Sequence, residues 1–374
     1  MESVERLLAD LVAIPSVNPM GRGREGTEYG EEAIARYVAE YLRSASIDAE
    51  IDEVSPGRPN IVARLDVGGQ ETILLEAHLD TVFADRMKID PFRPEIRNGR
   101  LYGRGACDTK GSLAVFLTAL RSYAERKQKR AMNVLLLAVA DEEYGFTGAN
   151  HAVARGIGAD FGIVGEPTET HIVRAHKGVT RWKVVTHGVA CHSAYPDRGR
   201  NAIYSMARVV SRLEEHAGAL LRTPPHPMLG TPTLSVGVIE GGQTVNIVPD
   251  RCVIEVDRRT LPGETDASVL DAARNALDGV EDWEIVGPHL AIAGMEVEEE
   301  SRVVRKLGSA VKKILGQVKI ESAQYATDAG VYNKHGIPSV VFGPGNIARA
   351  HTDEEYVEVD QLRAAVQIIE RVLE

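Results

Sequence analysis

The chain has 374 residues, 44% hydrophobic and 26% charged, a balance that suits about two folded domains and excludes wholesale disorder. Lys and Arg total 43 against 54 Asp and Glu, so the formal net charge is −11, the wrong sign for a nucleic-acid or anionic-membrane partner. Three cysteines, Cys107, Cys191 and Cys252, exclude both a disulfide framework and a cysteine-rich zinc module.

In chain order, residues 3–13 carry the apolar spacing of a helix, and acidic residues there replace the basic start of a secretory leader. A cytoplasmic setting is therefore expected, and the most apolar run, 132–140, is too short to span a membrane. A second helix is predicted over 31–44. Strands follow at 60–65, 73–77, 134–139 and 161–164, with a helix over 110–124 between the second and third. The last three strands are nearly unbroken apolar runs, as expected of central strands covered on both faces. Helices at 301–315 and 361–373 close an α/β pattern.

Between 179 and 291 the rhythm changes to strand 181–187, helix 201–215, strands 233–240 and 252–258, helix 266–276 and strand 283–286. That βαββαβ order is the split βαβ, ferredoxin-like unit, usually a four-stranded antiparallel sheet with helices on one face. The expected organisation is a discontinuous α/β domain, 1–178 and 292–374, with an α+β domain inserted at 179–291.

Histidines and carboxylates gather where predicted strands end. His78 and Asp80 lie two apart in an extended segment and so share a face, one as a candidate ligand, the other gripping its second ring nitrogen. Asp108 sits in the glycine-flanked loop GRGACDTKG, either as the N-cap of the following helix or as a carboxylate bridging two cations. Asp141, Glu142 and Glu143 follow a buried strand directly, and three adjacent carboxylates repel unless something positive neutralises them. Glu166 ends another strand, and His351 follows a glycine-rich loop, FGPG, whose N–H groups could hold an anionic group of a substrate. Ligands of open α/β sheets bind outside the carboxyl ends of the strands. A set of imidazole and carboxylate donors without cysteine suits Zn²⁺, with Mn²⁺ or Co²⁺ tolerated, and a metal pair with a spare carboxylate is a hydrolase design. Cys107 and Cys191 neighbour these residues and read as small buried hydrophobes.

The motifs HLD, GRGACDTKG, DEEYG, GEPT and AHTDEEY, in that order from about Val4 to the C-terminus, resemble the M20 metallopeptidase family. GEPT followed by VRAHKG, with FGPGNIARAHTDEEY, resembles its acetylornithine deacetylase branch most. The resemblance implies a mixed-sheet zinc-hydrolase domain holding two zinc ions, one by His78, Asp108 and Glu166, the other by Asp108, Glu143 and His351. It implies Glu142 as general base and acid for a metal-bridging water, Asp80 orienting His78, and a cis peptide between Asp108 and Thr109. It makes 179–291 a lid or dimerisation domain, with His192, in GVACHSAYP, stabilising the oxyanion across a homodimer. Arg258 and Asn246, with Gly343 and Gly345, are implied to bind the substrate carboxylate, Arg259 facing away. The implied substrate is an N-acyl amino acid, N-acetyl-L-ornithine first, with a succinyl-diaminopimelate desuccinylase, an aminoacylase, a dipeptidase or a carboxypeptidase as alternatives. Residues 326–330, ATDAG, depart from the TSGGTSD pattern of the desuccinylases. Outside the class, a Ser or Cys nucleophile lacks a Gly-x-Ser-x-Gly elbow or an evident base, and a silent scaffold lacks its expected lost ligand.

Overall fold

The computed structural model describes residues 3–23, 26–126 and 130–374, which form two compact units. The first comprises Met1–Arg174, Val297–Glu321 and Thr327–Glu374, and the second Ala175–Glu296 with Ser322–Ala326.

The first unit is built on a mixed sheet whose order runs Asp48–Ser55, Arg58–Leu65, Met132–Val139, Glu71–His78, Phe161–Val164, Ser339–Val341 and Ile172–His176. Its four middle strands are parallel, with Glu71–His78 aligned so that His78 lies beside Val139 and Glu76 beside Val164. That register brings the carboxyl ends of these strands to one rim. The strands are mostly apolar, as suits their cover by helices: Lys110–Glu125, buried over most of its length, packs on Glu71–His78, on Val4–Val12 and on Val359–Val372. Val4–Val12 forms because Val4, Leu7, Leu8, Leu11 and Val12 fall on one face, and Ser3 caps it by accepting the Arg6 N–H. Glu32–Ser44 packs against the two antiparallel strands, Asp48–Ser55 and Arg58–Leu65.

The second unit has a four-stranded antiparallel sheet in the order Thr233–Gly241, Arg251–Thr260, Gly178–His187, Trp283–Ile292. Buried and partly exposed residues alternate along Arg251–Thr260, so Cys252, Ile254 and Val256 turn inward with Trp182 and Val184. Helices Ala202–Leu220 and Asp266–Ala276 cover that face through Met206, Val209, Leu213, Val269 and Leu270. The last strand is longer than the predicted 283–286. A register shift between Val286 and Leu290, where Gly287-Pro288 interrupts the pairing, is bridged, and the ladder resumes to Ile292. Ser322–Ala326 joins this unit although it lies outside 179–291, held by Ser322 Oγ donating to Met228 O at 2.7 Å.

Candidate metal centre

The carboxyl ends of the parallel strands deliver the site. His78 is the last residue of its strand and is 2% exposed. Its Nε2 lies 3.0 Å from Asp108 Oδ1 and 3.8 Å from Glu166 Oε1. The other nitrogen, Nδ1, faces the backbone oxygen of Asp80 at 2.9 Å and its carboxylate only at 3.5 Å. The grip on that nitrogen is thus mainly a main-chain one, a detail that residue spacing cannot give. The Asp80 carboxylate instead braces the neighbouring loop, Oδ1 accepting the Glu142 N–H and Oδ2 the Glu143 N–H, each at 3.1 Å. Asn18 Nδ2 donates to the same group at 2.7 Å.

The acidic triplet divides. Asp141 takes φ +65° and turns its side chain away, accepting from Arg58 Nη1 (2.9 Å), Asn18 Nδ2 (2.9 Å) and Thr147 Oγ1 (2.7 Å). Arg58 is thus the positive neighbour of Asp141 alone among the three, and it also pairs with the buried Glu31. Glu142 and Glu143 remain for the site. One set of donor atoms from His78, Glu142 and Glu166 lies mutually within 4.8 Å, and so does one from His78, Asp108 and Glu143. His351 Nε2 reaches Asp108 Oδ2 at 3.2 Å and Glu143 Oε2 at 3.1 Å. The two oxygens of Asp108 therefore face different imidazoles, the disposition expected of a carboxylate shared by two cations.

The Asp108–Thr109 peptide is cis, as the resemblance implies. Asp108 is not the helix cap. Thr109 holds that position before Lys110–Glu125, and its hydroxyl donates to Gly165 O at 2.6 Å, tying the Asp108 loop to that of Glu166.

Electrostatics divides the carboxyls. Burial pushes Glu142 well up, with the Glu166 charge beside it adding to the effect, and pushes up Glu166 in the same way beside Asp108. Burial and Asp108 raise Glu143 to about 7. Burial works against ionisation of Asp108 too, yet hydrogen bonds from His351 and His78 hold it below the carboxylate range. Those bonds to Asp108 and Glu143 lift His351 to about 11. A crowd of imidazole nitrogens and mostly buried carboxylate oxygens fits one or two divalent cations by its donor chemistry.

Gly343 and Gly345 do not offer their N–H groups to a ligand. The former donates to Thr168 Oγ1 at 3.1 Å and the latter to Gln361 Oε1 at 2.7 Å, so the expectation that these amides bind a substrate carboxylate is corrected. In the second unit, His192 is exposed and its Nδ1 accepts the Ala194 N–H at 3.1 Å. Asn246 is exposed, its Oδ1 accepting from Thr244 Oγ1 at 2.6 Å. Arg258 faces inward, 3% exposed, and pairs with Glu264 at 2.7 Å, while Arg259 turns to Asp257. Cys107 is buried as expected. Cys191 is not, because its strand is a two-residue exposed one and its thiol donates to Tyr195 O at 3.2 Å.

Sequence reasoning missed the residues that brace the site. Asn18 and Arg58 lie in segments without a chemical motif, and Glu355 was visible only as one acid of AHTDEEY. Its carboxylate is wholly buried and accepts the N–H groups of Cys107 (2.9 Å) and Asp108 (3.0 Å).

Peptidase family M20/M25/M40 matches residues 74–374. An acetylornithine deacetylase from Myxococcus xanthus is 35% identical over 353 residues, 90% of each chain. One from Photorhabdus laumondii is 32% identical over 380 residues, 98% of this chain and 96% of its own. Among solved structures, an M20 family metallo-carboxypeptidase from Sulfolobus solfataricus shares the fold with a TM-score of 0.83 at 23% identity, covering 100% of this chain and 99% of the other. A dinuclear metal binding peptidase of the M20 family from Bacillus subtilis does so with a TM-score of 0.71 at 17% identity, covering 99% and 96%. No helix among the described residues is long and apolar enough to cross a membrane. With its strand-end histidines and carboxylates and these relatives, the chain belongs to peptidase family M20/M25/M40 and is a metal-dependent amidohydrolase.

Proposed function

We propose that this amidohydrolase cleaves N-acetyl-L-ornithine to ornithine and acetate with two zinc ions, cobalt or manganese being able to substitute. The observation that carries the reading is the pairing of Asp108 with both His78 and His351, flanked by Glu143 on one side and Glu166 on the other. The choice of substrate is supported by acetylornithine deacetylases identical at 35% and 32% over nine-tenths or more of the chain.

In this reading His78, Asp108 and Glu166 hold one cation and Asp108, Glu143 and His351 the other. Such cations lower the pKa of water towards about 7 and polarise a carbonyl. Glu142 takes the proton of the attacking water and passes it to the leaving nitrogen as the C–N bond breaks. Its raised pKa, from burial and Glu166, suits a group that must both accept and release a proton. Asp80 fixes Glu142 through its backbone N–H. His192 of a second copy donates to the oxygen of the scissile carbonyl as negative charge builds there. Asn246 and the N–H groups of Arg258 not engaged by Glu264 or by the Arg259 backbone oxygen receive the substrate carboxylate.

Residues 179–291 are assigned as a lid and dimerisation domain. Support comes from the outermost strand, Thr233–Gly241, which exposes Val238 and Ile239 along an open edge suited to a second copy. Three free thiols accord with a reducing cytoplasm.

The test is a hydrolysis panel with zinc: N-acetyl-L-ornithine, N-succinyl-diaminopimelate, N-acetyl-methionine and dipeptides. N-acetyl-L-ornithine should have the highest kcat/KM, a chelator should abolish turnover, and zinc or cobalt should restore it. Faster cleavage of any other member would replace the substrate assignment, and activity in excess chelator would remove the metal.

A further inference from the structure

The Asp108 carboxylate faces two imidazoles at once, so the backbone that carries it must be fixed before any cation arrives. Asp108 lies in a loop between the short strand Arg100–Tyr102 and the helix Lys110–Glu125, outside any sheet ladder that could hold it. Its N–H and that of Cys107 both point at one oxygen, Glu355 Oε1, at 3.0 and 2.9 Å. The other oxygen, Oε2, accepts from Arg104 Nη1 at 2.6 Å. Arg104 Nη2 in turn donates to Thr352 O at 3.2 Å, next to His351, and Gly103 N donates to Glu355 O at 3.1 Å.

Neither member of this pair is a surface ornament. Glu355 is 0% and Arg104 3% exposed. A buried ion pair contributes little net stability, since removing two charges from water costs about as much as their attraction returns, and an apolar pair often serves as well. Its presence here is explained by the two successive amides that only an acceptor can satisfy, and by the carbonyl beside His351 that only a donor can hold.

We propose that Glu355, held by Arg104, is a positioning residue for the metal centre. The pair clasps the Asp108 loop to the His351 loop and sets the separation of two candidate ligands 243 residues apart in the chain, the difference between 351 and 108. Asp80 does the corresponding work for Glu142 and Glu143, whose two N–H groups it accepts. The inference rests on the reading of Asp108 as a ligand shared by two cations.

The experiment is zinc affinity of the full chain, read by competition with a chromogenic chelator, for Glu355→Gln, Arg104→Lys and Asp108→Asn, with folding checked by circular dichroism. Outer partners of ligands typically govern affinity by about 10- to 100-fold. E355Q is expected to bind zinc about tenfold more weakly while folded. A loss of threefold or more supports the clasp; a smaller one in the folded variant overturns it and leaves Glu355 a packing residue. Should E355Q not fold, R104K, which keeps the charge but not the fork, is judged by the same threshold. D108N separates the two readings. If it binds zinc like the wild type, the ligand assignment fails; if it loses zinc while E355Q does not, only the clasp fails.

Discussion

His78 of the first unit and His192 of the second are held in opposite ways. His78 in the first unit is 2% exposed, with one ring nitrogen on the Asp80 backbone and the other on Asp108. His192 in the second unit is exposed, on a two-residue strand paired with Ile247–Val248. Cation binding needs donors fixed beforehand, because every degree of freedom lost on binding weakens it. A group that only meets the developing oxyanion can be ordered later by the substrate itself. On the proposed reading, the buried network around His78 supplies that rigidity, and His192 needs no counterpart of it.

The sharpest way to probe this division is to remove a group from each side. Glu142→Ala should lower kcat by about 10³-fold, within the range for loss of a general acid–base group, with close to two zinc ions per chain retained. Turnover near the wild-type level would sink the assignment. Next, His192→Ala should lower kcat by about 10²-fold while zinc affinity and thermal stability stay as they were. A fall in zinc affinity would erase the distinction between the two histidines.

Acid attacks the fold at a different histidine, the last residue of the strand Ile172–His176. Burial depresses His176 to about 4, below the ordinary 6.5 of an unfolded histidine. Between those values the unfolded chain binds the extra proton, so stability is complete above pH 6.5 and drains away as pH falls towards 4, by at most about 3 kcal/mol. Denaturant titrations of wild type and His176→Gln at pH 7 and 4.5 isolate this contribution, which should be missing in the variant. Smallest is the expected effect on the fold of Ile239→Lys. At 58% exposure on an edge strand it should change stability by under about 0.5 kcal/mol, while abolishing a dimer in sedimentation if copies pair through that edge.

How much of this the chain announces depends on how local each signal is. The middle strands and the residues at their carboxyl ends were legible, because apolar runs end abruptly in His78, Asp141–Glu143 and Glu166. Asp48–Ser55 went unread since it lies at the edge of the sheet and is mostly polar and exposed. Helices Thr147–Ala154 and Ala329–Lys334 are too short to display a period. The braces were illegible for another reason. Asn18 meets Asp80 across 62 residues and Arg104 meets Glu355 across 251, and although Arg104 and Glu355 lie in GRGACDTKG and AHTDEEY, neither motif says that the two meet. Gly343 misled in the opposite sense, since its setting in FGPG resembles an anion cradle while its amide serves Thr168.

That glycine bears on how mutational scans of such enzymes are interpreted. A Cβ at Gly343 would overlap Ser112 Oγ and the backbone oxygen of Glu166, and one at Gly165 would sit 2.6 Å from Ser112 Cβ. Alanine at 343 would push on the main chain of a candidate ligand without touching any reacting atom. In a tolerance map such a substitution scores like the loss of Glu166 itself. A pocket outlined from sensitive positions alone would then be drawn around a packing contact, one layer of side chains too far from the chemistry.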